Sequence, residues 1–107
     1  MKYNNDKAGN MLGLAARAGK CVSGETSCEK AIRTRKAKLV ILNSKASLNT
    51  KKKFQDMCSY RKIPLAYWNG DKDLGYYVGK SNRMVVVVID ERFSHMILKE
   101  LDKSYSE

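Results

Sequence analysis

Proline occurs once in the chain, at Pro64, and histidine once, at His95. No apolar run reaches the roughly 18 residues needed to cross a bilayer. The polar stretch Met1–Asn10 carries no apolar segment ahead of a cleavage site, so no secretory signal and a cytoplasmic protein are expected. Cysteines stand only at 21, 28 and 58. An odd number without a CxxC pair fits neither a disulfide framework nor a zinc site, and reduced, mostly buried thiols are the expectation. The glycines form no GxGxxG and no Walker sequence, which removes support for phosphate-cradling nucleotide sites. A Ser/His or Cys/His mechanism would have to use His95, one turn into the last helix with acids at 90 and 91, where a half-exposed structural histidine is expected. Asp71 and Asp73 flank a turn and a helix start, where aspartate caps by accepting backbone N–H bonds. No enzyme, no cofactor and no metal are therefore expected.

What is present is a 107-residue chain with 43% apolar and 30% charged residues, the balance of one globular domain spanning 1–107. A domain of this size buries roughly two-thirds of its unfolded surface and needs no staple. The formal charge is +10, and its location matters more than its size. Residues 30 to 62 hold eleven basic groups and one acid, Asp56, so one third of the chain carries the whole excess.

Hydrophobic periodicity orders the elements. Leu12, Ala15 and Ala16 follow Ala8 and Met11 at helical spacing, and Gly19 stops that helix. Cys21–Ser23 is a short strand ending in Gly24. Cys28, Ala31, Ile32 and Arg35 mark the inner stripe of a second helix. Leu39–Leu42 is apolar at every position, a strand covered on both faces. A polar loop, 43–49, leads to a helix over 50–62 with Phe54, Met57, Cys58 and Arg61 inward. The third strand, 63–68, takes its proline at an edge or at its start. A turn at 69–71 precedes a short helix over 72–78, stopped by Gly79. Met84–Ile89, with four valines, is a strand, and Asp90-Glu91 opens a last helix with Phe93, Ile97, Leu98 and Leu101 inward. Alternating strands and helices predict an α/β fold, a three-layer α-β-α sandwich on a four-stranded mixed sheet.

Three basic elements fit an acidic polymer. Thr26, Lys30 and Arg33 recur at i, i+4 and i+7 opposite the apolar stripe, behind Gly24, which permits close backbone approach at a helix N-terminus. A local alternative is a capping box of Thr26 with Glu29. Ser44 and Lys45 precede Lys51-Lys52-Lys53, expected in the first turn of the third helix, where the dipole disfavours cations unless an anion offsets it. Lys80-Ser81-Asn82-Arg83 offers two cations for phosphates and two polar groups for bases or sugars. One of Tyr76 and Tyr77 could stack on an extruded base while the other joins the core.

With these residues in place, the chain resembles the ribosomal protein L7Ae/L30e family of RNA binders, many of which recognise kink-turns, and within it the small bacterial YlxQ-like branch. The likeness runs from about Ala8 to Leu101. It is carried by Gly24 with Lys30 six residues on, by Ala31-Ile32, and by Ala37 through Leu42. Ile63-Pro64, Leu74-Gly75 with Gly79, and the strand Val85–Ile89 continue it. The resemblance implies the same sandwich, no catalysis and no cofactor. It implies an RNA surface on Gly24, Glu25, Thr26, Ser27, Lys30 and Arg33, on Asn43, Ser44 and Lys45, and on Lys80, Ser81, Asn82 and Arg83. Many kink-turn binders carry Asn-Glu where this chain has Thr26-Ser27, and their apolar loop before the last strand is polar here. Kink-turn specificity is therefore left open. The expected partner is structured RNA of ribosomal kind, bound by a monomer, with ribosome association and no membrane. The rival reading is a protein-interaction module whose basic face docks an acidic protein. A third is a subunit or substrate-binding domain of an RNA-modifying enzyme.

Overall fold

A computed structural model describes residues 6–106, with side chains described as far as Asp102. The elements run α1 (Asp6–Arg17), β1 (Cys21–Ser23), α2 (Glu25–Arg33), β2 (Leu39–Asn43), α3 (Leu48–Arg61), β3 (Leu65–Trp68), α4 (Leu74–Val78), β4 (Val85–Val88) and α5 (Glu91–Ser106). Of the opening polar stretch, residues 6–10 belong to α1, and the first five lie outside the described residues.

The sheet order is β1-β4-β2-β3, with β4 antiparallel to both neighbours and β3 parallel to β2. The mixed sheet and its two covering layers match the predicted sandwich. Register explains the two cores. Cys21, Val88 and Leu39 share one row and Val22, Val87 and Val40 the next, so adjacent rows point to opposite faces. Val40, Leu42, Val85 and Val87 pack with Cys28, Ile32, Phe54 and Cys58 of α2 and α3. Leu39, Ile41, Val86 and Val88 pack with Leu12, Leu74, Ile97 and Leu101 of α1, α4 and α5. Because both faces are covered, β2 and β4 are buried at every position.

Several boundaries differ from expectation for local reasons. Ser47 caps α3, its Oγ accepting from the Thr50 N–H at 3.2 Å, so α3 starts at Leu48, Lys51 closes its first turn and Lys52 and Lys53 fall beyond it. The case for an external anion offsetting an unfavourable dipole there lapses. Asp73 caps α4, which starts at Leu74 rather than Lys72. The third strand begins after Pro64, at the sheet edge; proline has no N–H for the ladder, but its carbonyl accepts from the Val40 N–H at 3.0 Å. Arg35 and Arg61 are exposed rather than inward, because α2 ends at Arg33 and the chain turns through a left-handed Arg35 (φ 63°), while α3 closes at a left-handed Lys62 (φ 58°). All three cysteines are free, with Cys28 and Cys58 buried and Cys21 half-buried. His95 is exposed on α5 beside Glu91, Arg92 and Met96.

Candidate nucleic-acid interface

Strand direction gathers the three basic elements. β1 and β2 both run antiparallel to β4, so their C-terminal ends and the N-terminal end of β4 lie at one end of the sheet. Ser23 pairs with Val86, Leu42 with Val85, and Asn43 with Trp68. Gly24, Asn43–Lys45 and Lys80–Arg83 are the continuations of those ends.

Gly24 adopts φ 88°, ψ 149°, a conformation nearly confined to glycine, and its N–H donates to the Val85 carbonyl at 3.1 Å. It is the N-cap of α2, and no side chain caps the helix, so the first-turn N–H groups keep their donor capacity. The capping box of Thr26 with Glu29 does not form. Glu29 accepts instead from Lys53 Nζ at 2.9 Å and from Arg33 Nη1 at 3.4 Å. Lys53 Nζ also reaches Glu25 Oε1 at 3.0 Å. The Lys53 hydrogen bond, ahead of every other influence, holds the Glu29 carboxyl below its usual range, and Glu29 followed by Glu25 raises the Lys53 ammonium. Two carboxylates at the start of α2 are thus matched by a lysine of α3. Thr26, Ser27 and Lys30 stand exposed around them.

Asp73 joins the other two loops. Its Oδ2 accepts from the Gly75 N–H at 2.8 Å and the Arg83 N–H at 3.2 Å, and its Oδ1 accepts from Asn43 Nδ2 at 3.3 Å. Asn43 Oδ1 in turn accepts from the Lys45 N–H at 2.9 Å. Asn43 is therefore buried and engaged at both ends of its amide, and it shapes the loop that exposes Lys45. The Ser44 N–H donates to the Trp68 carbonyl, which leaves its half-buried side chain beside that loop. The capping role of Asp73 was expected, but its reach to Asn43 was not, because nothing local in a sequence signals a bond across 30 positions.

Arg83 is the centre of the end surface. Its guanidinium lies against Gly24, where an added Cβ would meet Nη1 at 3.8 Å. Its Nε is the one buried side-chain polar atom without a hydrogen-bond partner among the described residues. A hollow of about 360 Å³, lined by Ser23, Ser27, Lys80 and Arg83 among others, opens beside it. Lys80, Ser81 and Asn82 are exposed, Asn82 in a left-handed turn at φ 47°. On the flank, Tyr77 is half-buried edge-on to Trp68, and its hydroxyl donates to Asp6, while Tyr76 is 63% exposed with Lys72 Nζ 4.5 Å above its ring. Tyr76 is the one of the pair available for stacking.

Among the described residues no group of three or more His, Cys, Asp or Glu side chains is placed to hold a metal, and no helix is long and apolar enough to cross a membrane.

This α-β-α sandwich has counterparts in known proteins. The model of the Ribosomal protein L7Ae/L30e/S12e/Gadd45 family matches residues 6–98, and the chain belongs to that family. It is 46% identical over 92 residues to the RNA-binding protein YlxQ of Bacillus subtilis (strain 168), covering 86% of this chain and 92% of that one. It is 40% identical over 91 residues to the RNA-binding protein YlxQ of Enterococcus faecium, covering 85% and 87%. A solved structure of a protein of unknown function from Bacillus halodurans C superposes with a TM-score of 0.84 at 38% identity, covering 90% of this chain and 97% of that one.

Proposed function

We propose that the protein is a non-catalytic RNA-binding component of the translation apparatus that grips structured RNA with the loop end of its sheet. The names of its relatives and its family support RNA as the partner. The observation that carries the reading is that Lys80 and Arg83 line one hollow with Ser23 and Ser27, while the Arg83 guanidinium lies against Gly24 at the start of α2. Arg83 and Lys80 meet phosphates from one side, and Lys30 and Arg33 from along α2. Thr26, Ser27, Ser81 and Asn82 bond base edges or sugars, and the backbone at Gly24 lets the RNA come close. Asn43 sets the shape of its loop, and Ser44 and Lys45 offer contacts beyond it. With Thr26-Ser27 at the start of α2, recognition leans on the shape of a bent or looped RNA more than on a carboxylate reading paired guanines.

The test is a titration of total ribosomal RNA at several salt concentrations with the wild-type chain and an Arg83→Ala, Lys80→Ala variant. Saturable binding is expected, with a log–log salt slope near −0.7 to −0.9 per neutralised phosphate. The variant should bind more weakly and with a shallower slope. Equal affinities and slopes would remove the loop end as the surface.

A further inference from the structure

Five of the eleven cations in residues 30–62 are not at the loop end at all. Arg35, Lys36 and Lys38 precede β2, and Arg61 and Lys62 precede β3, which places them at the opposite end of the sheet. Four of them, with Tyr60, wall a groove of about 670 Å³ whose floor is apolar, made by Ile32, Ala37, Ile63 and Pro64. None of the five takes part in a described ion pair, whereas Arg33, Lys52 and Lys53 are each matched by a carboxylate. Tyr60 is 83% exposed, with the Arg61 guanidinium 5.3 Å from its ring centroid.

The backbone supplies a second, independent observation. Three helices end in the same closure, in which residue C″ donates to C3 and residue C′, left-handed, donates to C2. At α1 the left-handed residue is Gly19, with Lys20 N–H on Ala15 at 2.7 Å and Gly19 N–H on Ala16 at 3.1 Å. At α2 it is Arg35, with Lys36 N–H on Ala31 at 2.9 Å and Arg35 N–H on Ile32 at 3.2 Å. At α3 it is Lys62, with Ile63 N–H on Cys58 at 2.9 Å and Lys62 N–H on Ser59 at 3.3 Å. α4 likewise closes at a left-handed Gly79. Glycine takes this conformation without strain, and α1 and α4 use it. The two helices that end on the groove instead place a long cation there. A favourable helix dipole needs only a cation somewhere in the last turn, and Arg33 and Arg61 already provide one. Strained residues of this kind gather where a ligand uses them.

We propose that this groove is a second nucleic-acid site, one that takes a single-stranded RNA segment. The backbone phosphates lie on Arg35, Lys38 and Lys62, and a base stacks on Tyr60 at the mouth. A cationic groove with an aromatic platform binds single strands with little regard to sequence. The five-residue strand β2 separates the two ends by about 16 Å at roughly 3.3 Å per residue, so one RNA can engage the loop end with its folded part and the groove with its flank. The proposal rests on RNA being the partner.

The probe is a decauridylate carrying 4-thiouridine. With the wild-type chain it should bind at low salt and crosslink to the segment 60–64. Arg35→Gly with Lys62→Gly keeps both closures and removes the strain, so the melting temperature should hold or rise while affinity falls about tenfold. The salt slope should become shallower by about 1.4, at 0.7 per phosphate lost. Lys38→Gln, away from both closures, should act in the same direction. Arg92→Gln with Lys99→Gln, an equal charge loss on α5, should change affinity less than twofold. Equal losses in the two double variants, crosslinks confined to the loop end, or tighter competition by polyglutamate than by decauridylate would overturn the groove as an RNA site. The proposed function would stand through any of these if total ribosomal RNA still bound and the Arg83→Ala, Lys80→Ala variant bound it more weakly.

Discussion

Asn43 Nδ2 donates to Asp73 Oδ1 at 3.3 Å, tying the loop after β2 to the start of α4 across 30 residues of chain. The same carboxylate, through Oδ2, receives the N–H groups of Gly75 and Arg83. One half-buried acid thus holds two of the three basic loops in place.

Asp73→Ala should consequently lower both stability and RNA affinity. Losing a helix cap costs about 1 kcal/mol and stranding the Asn43 amide about as much again. The sum of roughly 2 kcal/mol corresponds to about 10 °C in Tm for a domain of this size. Affinity is the sharper readout, because deleting a negative charge beside phosphates should tighten binding if charge alone mattered. Loosened loops should weaken it instead, and titration with total ribosomal RNA distinguishes the two.

Gly24→Ala should destabilise the fold by about 1 to 3 kcal/mol, the range for a residue forced into a conformation reserved for glycine. The new Cβ would meet Arg83 Nη1 only at an ordinary 3.8 Å, so backbone strain rather than collision supplies the loss. Thermal unfolding checks the stability, and weakened RNA binding at a temperature where the variant remains folded checks the site.

Lys53→Ala should weaken RNA binding although its side chain is engaged within the protein. Its ammonium matches Glu25 and Glu29 of α2, and without it Glu25 faces the incoming phosphates unmatched while Glu29 keeps only Arg33. Glu25→Gln in the same background should recover part of the loss. The pH dependence has a definite sign. Lys53 holds the Glu29 carboxyl low, so the pair's contribution is present above the ordinary carboxylate range and fades as pH falls through it. The urea midpoints of wild type and Glu29→Gln should differ at pH 7 and converge toward pH 3.

Much of this architecture is legible in the residues. Leu39–Leu42 and Val85–Val88 are apolar at every position because helices cover both faces, and Pro64 marks β3 as an edge strand through its missing N–H. Local capping chemistry was less visible. Ser47 moves the start of α3 to Leu48, which takes Lys52 and Lys53 out of the first turn and gives Lys53 to Glu25 and Glu29. Arg35 and Arg61 continue a helical stripe on paper but become exposed once the chain turns left-handed beside each of them, at Arg35 and Lys62. The gathering of Gly24, Lys45 and Arg83 depends on strand order and direction. No spacing within a single segment encodes that order.

The cysteines provide a final prediction, on the core rather than the surface. Burial pushes the Cys21 and Cys58 thiols up to about 11 and that of Cys28 up to about 12, and Cys28 Sγ also lies 3.6 Å and 3.7 Å from the carbonyls of Val22 and Val85. A shift of about two units lowers the thiolate fraction near neutrality roughly 100-fold. Alkylation by iodoacetamide at pH 7.5 should therefore be at least about 100-fold slower in the native chain than in urea, where all three react. The sign of the linked stability follows. A thiol whose value is raised on folding contributes fully below its unfolded value and loses that contribution as pH climbs toward its folded value. Stability should fall between about pH 9 and pH 11, and the fall should be smaller in Cys28→Ala, whose urea midpoint lies lower at neutral pH because a buried sulfur is missing. Native alkylation at the unfolded rate would refute the buried setting of Cys28 and Cys58 between α2, α3 and the sheet and of Cys21 on the sheet's other face.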